Sequence, residues 1–510
     1  MKVASYLKVG DKVELWGNLV LGDKPTDEYI IQESGEIELS NGLFAKKVSF
    51  KYIAQTIEEM QKLALKVGDV VEVLGYYQAN DGAGHKRVIE NEDDGSGVQL
   101  GNGLYANIIH NGEIHVSWFG AKGDGVTDDS DIVDKINNYI TNDITLKIPF
   151  PLTYTKKSGK LAVLDFSKGV NNISIDFMEK GEIIVDVLQD SGAGYMGGLY
   201  FKYPSNNITL INPRISWKNK PNIRSIGDGI MFKGFPSDDN TISNIKILGK
   251  TEISKCSQAG LIFLGCKNIS VDTVELNDIL ADGVHFNACK NGYVKSIIGN
   301  STGDDTCALV TYFDTTEVTD KGVRSPYHQN GFTEWCNNNI VVEQITAYNG
   351  SANALRFGGT INSKIGIINT NKPIACNSSK KDSTHNWTHG ACQNCFIGEI
   401  NTSSQVLILN ENIEEIDAES VIAETKLNID TINSNLVGSA DTLFALRVYK
   451  LLKNSDIAIN NLKCNSTIKI HNNSDNTNVL LCGDNQYENG NGLIVENQKS
   501  KTSKIGRAHV

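Results

Sequence analysis

The sequence predicts an all-β solenoid, and three observations point to that fold class. Short segments in which Asn precedes alternating aliphatic residues recur beyond residue 151, beginning at Asn171, Asn206, Lys267, Asn291, Asn338 and Asn362. Asn268 to Asn291 and Asn339 to Asn362 are each 23 residues apart, a period typical of solenoids. Glycine (47 residues) is plentiful and proline (9) is scarce, so Asn and Gly must form the tight turns. The 48 residues from Asn291 to Asn339 fit two periods or one turn with a long loop.

A second set of segments aligns without gaps and supplies the register: residues 228–232, 259–263, 282–286, 305–309 and 353–357. Side chains of a strand alternate between its two faces. The last residues of these segments should therefore point inward and stack as a ladder, formed by Phe232, Phe263, Phe286, Leu309 and Phe357. The residues before them should face outward: Met231, Ile262, His285, Ala308 and Arg356.

The first 110 residues contain a repeat, which predicts two small β modules. Residues 7–17 reappear as 65–75, and each copy closes with a related Asn-Gly-Leu segment at residues 41–45 and 102–106. A short helix with a capping box of Thr56 and Glu59 precedes the second copy. We therefore divide the region into a first, incomplete module (1–49) and a second module of helix and strands (50–112).

Residues 113–150 are predicted to be an opening segment followed by a capping helix, which would cover the end strand of a solenoid spanning residues 151–504. Asp124, Asp128 and Asp129 suggest calcium ligands. We favour a structural role, because acidic residues stabilise a helix N-terminus and Thr127 or Asp128 is a suitable N-cap. The apolar stripe of that helix comprises Ile132, Val133, Ile136 and Ile140.

Composition excludes several classes of function. The formal charge of -12 argues against a nucleic-acid-binding surface. No run approaches the length of a membrane span, and no signal peptide is visible after Met1. The ten cysteines are interpreted as small buried hydrophobes, including Cys392 and Cys395, whose C-x-x-C spacing lacks a second pair for zinc.

The segment Val116-Ser-Trp-Phe-Gly-Ala-Lys-Gly-Asp-Gly-Val-Thr-Asp-Asp-Ser130 resembles the opening of a right-handed parallel β-helix of the pectate-lyase superfamily, and in particular of bacteriophage tailspike depolymerases. The resemblance implies a homotrimer in the virion tail that acts outside the cell. It also implies that the N-terminal region connects to other virion tail proteins. Residues 505–510, Ile-Gly-Arg-Ala-His-Val, are what a common sequencing adapter encodes in frame, and we interpret them as an artefact.

Acidic residues on two adjacent turns form the candidate catalytic site. Residues 281–283 and 303–305 resemble the Asn-Thr-Asp and Gly-Asp-Asp motifs of polygalacturonases, and the register would make Asp282 and Asp305 exposed vertical neighbours about 4.8 Å apart. Glycoside hydrolysis needs one protonated and one ionised carboxyl, and repulsion among Asp282, Asp304 and Asp305 would raise one pKa. The alternative is that these Asp residues only cap bends.

Further residues are assigned to substrate binding. His285 and Arg356 lie on the same predicted face, where Arg356 would hold a carboxylate or sugar hydroxyls. Tyr312 ends a stretch, 308–312, that resembles tailspike β-helices. Glu334 and Trp335 lie in a long loop, where Trp335 would stack on a sugar or anchor the loop. The polygalacturonase Gly-His-Gly element has no counterpart before Arg356.

Three functions stay open. The first is an enzyme that hydrolyses a bacterial surface polysaccharide (capsule, O-antigen or exopolysaccharide) without a required cofactor. The second is a polysaccharide lyase, in which the Asp cluster neutralises a uronate, with calcium possible, and His285 or Arg356 removes a proton. The third is a glycan-binding or structural fibre without catalysis.

Overall fold

The computed structural model describes residues 12–16, 25–32, 37–38, 44–48, 50–156, 161–187, 196–224, 227–234, 241–313, 336–378, 388–410, 424–436, 444–449, 455–464, 466, 468–472, 478–482, 486–487, 493–497 and 504–508. The chain divides into two compact units. The first comprises Met1–Leu152 and Met178–Lys180, and the second comprises Thr153–Phe177 and Gly181–Val510.

The described residues of the first unit form two small sheets. One sheet has the order β1-β2-β4-β3, with strands β1 (Lys12–Trp16), β2 (Pro25–Gln32), β3 (Ile37–Glu38) and β4 (Phe44–Val48). The other has the order β5-β6-β7-β9-β8, with strands β5 (Phe50–Ala54), β6 (Val70–Val73), β7 (His85–Glu90), β8 (Val98–Gln99) and β9 (Tyr105–Ile109). Further along the chain come β10 (Glu113–His115), β11 (Thr145–Lys147) and β12 (Pro151–Tyr154).

The described residues of the first unit include two α-helices. Helix α1 (Ile57–Gln61) follows the predicted cap, since the Glu59 backbone N–H donates to Thr56 Oγ1 at 3.2 Å. Helix α2 (Ser130–Tyr139) lies in the segment that was predicted to be helical, and Val133 and Ile136 of its apolar stripe are buried. Its N-cap is Asp129 rather than Thr127 or Asp128, which corrects that expectation.

The Asp residues before α2 stabilise the local backbone. Asp124 Oδ1 accepts hydrogen bonds from the Val126 and Thr127 backbone, and Asp129 Oδ1 accepts one from the Lys122 N–H at 2.7 Å. These contacts support the structural role over a calcium site. No helix among the described residues is long and apolar enough to cross a membrane.

The second unit is a right-handed parallel β-helix built from two long parallel sheets. The strands of the longer sheet in this unit, which we call sheet L, are β14 (Asn171–Asp176), β15 (Glu182–Val185), β17 (Asn206–Ile211), β18 (Arg214–Trp217), β20 (Ile242–Ser254), β22 (Cys266–Ile279), β24 (Lys290–Thr302), β27 (Asn337–Gly350), β29 (Thr360–Ile361), β30 (Lys364–Thr370), β33 (Cys392–Gln393), β34 (Cys395–Thr402), β36 (Lys426–Ser434), β38 (Asp456–Cys464), β40 (Asn478–Cys482), β41 (Gln486–Tyr487) and β43 (Lys504–Ala508).

The strands of the shorter sheet, sheet S, are β13 (Ala162–Phe166), β16 (Gly197–Lys202), β19 (Ile230–Lys233), β21 (Leu261–Leu264), β23 (Val284–Asn287), β25 (Cys307–Val310), β28 (Leu355–Gly358), β31 (Ile374–Ser378), β35 (Val406–Asn410), β37 (Leu446–Tyr449), β39 (Ile468–Asn472) and β42 (Leu493–Asn497). A separate antiparallel pair joins β26 (Tyr312–Phe313) to β32 (Thr388–His389).

Asparagine forms the recurring corner of the coil, because its short amide tolerates the left-handed backbone region. Positive φ angles of 51–58° occur at the corner asparagine of each turn from Asn172 to Asn394, and the side chains form an amide ladder that includes Asn207, Asn244, Asn268, Asn291 and Asn339. The turn from β24 to β27 pairs Lys290 with Asn338, so the 48-residue separation is one turn with a long insertion.

The predicted register of sheet S is confirmed. Val284 pairs with Cys307 and Cys307 with Leu355, while Phe232 pairs with Phe263 and Phe263 with Phe286. The aromatic ladder is buried, and adjacent rings from Phe166 to Phe286 stack at centroid distances of 4.8–5.2 Å. The nine cysteines whose side chains the structure describes are all buried and free, as expected of small core residues.

Candidate active site

Three carboxylates meet at the corner that leads into sheet S. Asp282 and Asp305 occupy equivalent positions on consecutive turns, where the Gly283 N–H donates to the Asp305 carbonyl at 2.8 Å. The Asp305 N–H donates to Asp282 Oδ1 at 3.2 Å. Oxygen atoms of Asp282, Asp304 and Asp305 all lie within 4.8 Å of one another. The predicted advance by one turn between the two motifs is therefore correct.

The predicted exposure of this site is wrong for three of its residues. Asp282, His285 and Asp305 are only 8%, 6% and 2% exposed. Hydrogen bonds explain the burial of Asp305. Its Oδ1 accepts from the backbone and side-chain N–H groups of Asn353 at 3.1 and 2.7 Å, so its carboxyl turns into the corner. The side chain of Asp304, in contrast, is 31% exposed. Asp304 is therefore the carboxylate that reaches solvent.

Asp282 and His285 form a buried pair. His285 Nδ1 lies 2.7 Å from Asp282 Oδ2. Burial opposes both charges, but the hydrogen bond and the charge of each partner prevail, so the pKa of Asp282 is lowered and that of His285 is raised. The pair is thus an ionised carboxylate held by a histidine that favours its protonated form.

The environment of Asp305 has the opposite effect on its acidity. Burial, and then the charge of Asp282, raise the pKa of Asp305 to about 6, although Arg356 opposes this shift. Two turns below Asp282 in the same column, Asp228 is also buried, and burial raises its pKa to about 7 although its Oδ1 accepts the Ala259 N–H at 3.0 Å. The corner therefore holds carboxyl groups of clearly different acidity.

Basic side chains surround the cluster. Arg356 lies two strand positions from His285 with Ala308 between, as predicted, and its Nη1 is 3.8 Å from Asp305 Oδ2. Arg224 Nη1 forms an ion pair with Asp304 Oδ2 at 2.7 Å. The buried Lys372 donates through Nζ to the Asp304 carbonyl at 3.0 Å and to the hydroxyls of the neighbouring threonines, Thr302 and Thr306, at 2.6 and 3.1 Å.

Several of these residues were not predicted. Asp228 was present in the aligned column, and its position on the same corner was the available signal. Arg224 and Lys372 lie 80 and 68 residues from Asp304 in sequence and carry no motif. Burial lowers the pKa of Lys372 to about 8, although the nearby Asp carboxylates oppose this shift.

Of the remaining predicted residues, the structure describes only the backbone of Tyr312. The backbone of Tyr312 lies in β26 and pairs with His389. Glu334 and Trp335 lie outside the described residues.

The carboxylate cluster fits a divalent cation only in part. Carboxylate oxygens are ligands that Ca²⁺ accepts, and the three side chains converge. Two of them already meet guanidinium groups, however, since Asp304 pairs with Arg224 and Asp305 approaches Arg356. A bound cation would have to compete with these positive charges.

Comparisons with known proteins find similarity in solved structures. No protein-family model and no curated protein matches the sequence. The chain is similar to the enzymatically active domain of tailspike protein 2 of bacteriophage CBA120, with 14% identity, a TM-score of 0.42 and coverage of 84% of this chain and 57% of that one.

Two other solved structures belong to bacterial enzymes. One is a glycan biofilm modifying enzyme of Pantoea stewartii with a tailspike-like parallel β-helix fold (11% identity, TM-score 0.32, 94% of this chain and 54% of that one). The other is a family 28 exopolygalacturonase of Yersinia enterocolitica (11% identity, TM-score 0.42, 87% and 84%). The chain thus spans little more than half the length of the first two structures.

Proposed function

We propose that this protein cleaves a bacterial surface polysaccharide by carboxylate-catalysed hydrolysis of a glycosidic bond. The observation that carries the proposal is the convergence of Asp282, Asp304 and Asp305 within 4.8 Å, together with pKa shifts in opposite directions at two of them. Hydrolysis needs one carboxyl that keeps its proton and another that is ionised, both within reach of the same bond.

The environments suggest a role for each group. Asp305, with a pKa of about 6, is the proton donor for the leaving oxygen. Asp304, the most exposed of the three, is the carboxylate that activates water or attacks carbon. Asp282, held ionised by His285, supplies a charge that adds to the effect of burial in keeping the proton on Asp305.

Two alternatives are each favoured by one observation. The converging carboxylates could bind a divalent cation, as a lyase acting on uronates would require. His285 is poorly suited to be the base of such a lyase, because its hydrogen bond with Asp282 raises the pKa of His285 and so favours the protonated form. The burial of Asp282 and Asp305 favours a protein that binds glycan without cleaving it.

The test is depolymerisation of a panel of purified capsular, O-antigen and exopolysaccharides. Hydrolysis produces reducing ends alone, whereas elimination also produces unsaturated sugars that absorb in the ultraviolet. Asp305→Asn should reduce the rate of cleavage about a hundredfold or more, because the proton donor is lost. Activity should persist in a chelator under the hydrolase proposal and disappear under a cation-dependent lyase mechanism.

Asp278→Asn is the matched control. Asp278 is a surface carboxylate paired with Lys220, and its φ of 57° is one that Asn adopts readily. This variant should cleave at the wild-type rate. Unchanged cleavage by Asp305→Asn would reject the site, and a wild-type protein that binds but never cleaves the panel would support the non-catalytic alternative.

The tailspike resemblance extends the proposal to the assembly. We infer on that basis a homotrimer in a virion tail whose N-terminal region binds other tail proteins. Sedimentation of the purified full chain measures the first of these inferences directly.

A further inference from the structure

A polar groove runs along the C-terminal ends of the strands of sheet L. It has a volume of about 540 Å³ and is lined by residues from five consecutive turns, among them Tyr348, Asn369, Asn401, Asn433 and Lys463. Sites for small organic ligands have volumes of about 300–1,000 Å³, so this groove is large enough for a segment of an oligosaccharide.

Three of the lining residues form a ladder of amides. Asn401 Nδ2 donates to Asn369 Oδ1 at 3.0 Å, and Asn433 Nδ2 donates to Asn401 Oδ1 at 2.9 Å. An Asn side chain has two N–H donors and two acceptor lone pairs. The ladder bonds of Asn401 use only one donor and one lone pair, so the fixed amide keeps capacity for both kinds of hydrogen bond with a ligand hydroxyl.

Two lining threonines hold the adjoining turns in place. Thr370 Oγ1 donates to the Ala347 carbonyl at 2.7 Å and accepts the Lys372 N–H at 2.8 Å. Thr402 Oγ1 accepts the Ser404 N–H at 2.9 Å in the same way one turn later. Such locked turns lower the entropic cost of binding, because the polar groups are already oriented.

Tyr348 provides an apolar surface at one end of the groove. It is 44% exposed, which is unusual among the aromatic side chains that the structure describes. A tyrosine ring offers a flat face that packs on apolar C–H surfaces, with a hydroxyl that stays hydrated. A pyranose ring has such a C–H face and a rim of hydroxyls, so Tyr348 and the amide ladder match its two kinds of surface.

The groove begins one strand beyond the strand that leads into the carboxylate cluster. Tyr348 pairs in register with Asn300, whose strand ends at Thr302, just before Asp304. Lys372, two residues beyond the lining residue Thr370, donates to the Asp304 carbonyl at 3.0 Å. The groove then extends over four strand spacings, about 19 Å, parallel to the coil axis.

We propose that this groove is a non-catalytic binding site for a segment of polysaccharide that extends along the coil axis from the carboxylate cluster. The ligand is a hydroxyl-rich oligosaccharide segment, and its ring nearest Asp304 stacks on Tyr348. Among its lining residues Lys463 is the one charged side chain, at the end furthest from Tyr348, so an acidic substituent is accepted there. The class of ligand rests on the proposed function, whereas the existence of the site does not depend on catalysis.

The experiment uses the full chain and an array of oligosaccharides from bacterial surface polysaccharides, followed by calorimetric titration of the bound glycans. Tyr348→Ala should weaken binding about tenfold, and Tyr348→Phe, which keeps the ring, should retain most of it. Leu248→Ala is the control, because Leu248 is 37% exposed on sheet L and does not line the groove. It should bind as the wild type does.

The outcomes separate this site from the proposed catalysis. Glycan binding that Tyr348→Ala weakens and Asp305→Asn leaves intact supports the groove, even if no polysaccharide is cleaved. Equal binding by Tyr348→Ala and the wild type, or no retained glycan at all, overturns it. A change of oligomeric state in Tyr348→Ala with unchanged glycan binding also overturns it and identifies the groove as a contact between copies of the chain.

Discussion

Replacing Asp305 with Asn should make the fold more stable than the wild type at pH 8, even though it removes the proposed proton donor. Folding raises the pKa of Asp305 from 3.8 to about 6, through burial and then the charge of Asp282. A carboxyl whose pKa is raised by folding makes its full contribution to the free energy of unfolding at pH values below its pKa in the unfolded chain. This contribution is lost as the pH rises through the folded-state pKa of about 6. The folded and unfolded pKa values differ by about two units, and each unit corresponds to about 1.4 kcal/mol, so the ionised carboxyl lowers the free energy of unfolding by about 3 kcal/mol at pH 8.

Asn escapes this cost because it is neutral at every pH. Its Oδ1 can accept the same hydrogen bonds that Asn353 donates at 3.1 and 2.7 Å. The contact that it loses is the one with Arg356, whose Nη1 is 3.8 Å from the carboxylate. We expect a gain approaching about 3 kcal/mol at pH 8, which shrinks towards zero at pH 4, where the wild-type carboxyl is protonated.

The assay is equilibrium unfolding in urea at several pH values between 4 and 8. Asp304→Asn is the matched control, because its carboxylate is 31% exposed and its ion pair with Arg224 lies at the surface. An ion pair at the surface adds about 1 kcal/mol at most to the free energy of unfolding. Removing it should therefore make this control no more stable than the wild type at pH 8. An Asp305→Asn variant that is less stable at pH 8, or whose gain is the same at pH 4, would refute the reasoning.

Two further predictions concern the core and the buried pair, and urea unfolding measures both. Phe263→Ala, in the middle of the ring stack, should lower the free energy of unfolding by about 3–5 kcal/mol. Ile262→Ala, on the half-buried outer face, should cost less than half as much, and equal losses would contradict the assigned faces. His285→Asn should cost about 3 kcal/mol at pH 7, because it leaves the Asp282 carboxylate buried without its partner. The double variant with Asp282→Asn should recover part of that loss, and no recovery would contradict the pairing.

The sequence predicted the coil and its register because both depend on local, repeated chemistry. Asn at a left-handed corner and alternating aliphatic residues recur with each turn, so counting residues was enough to place Phe232, Phe263 and Phe286 in one stack. The same counting placed Asp282 beside Asp305 and Arg356 two strands from His285.

The sequence by itself thus determined which residues are vertical neighbours, since successive strands of a parallel sheet have a fixed spacing. Only the tertiary structure decided which of them reach solvent. Asp305 is buried because Asn353, 48 residues away, donates two hydrogen bonds to it, whereas Asp304 turns outward to Arg224, 80 residues away. The orientation of a corner side chain depends on partners that the folded chain brings from distant turns, and a repeat pattern along the sequence does not contain that information.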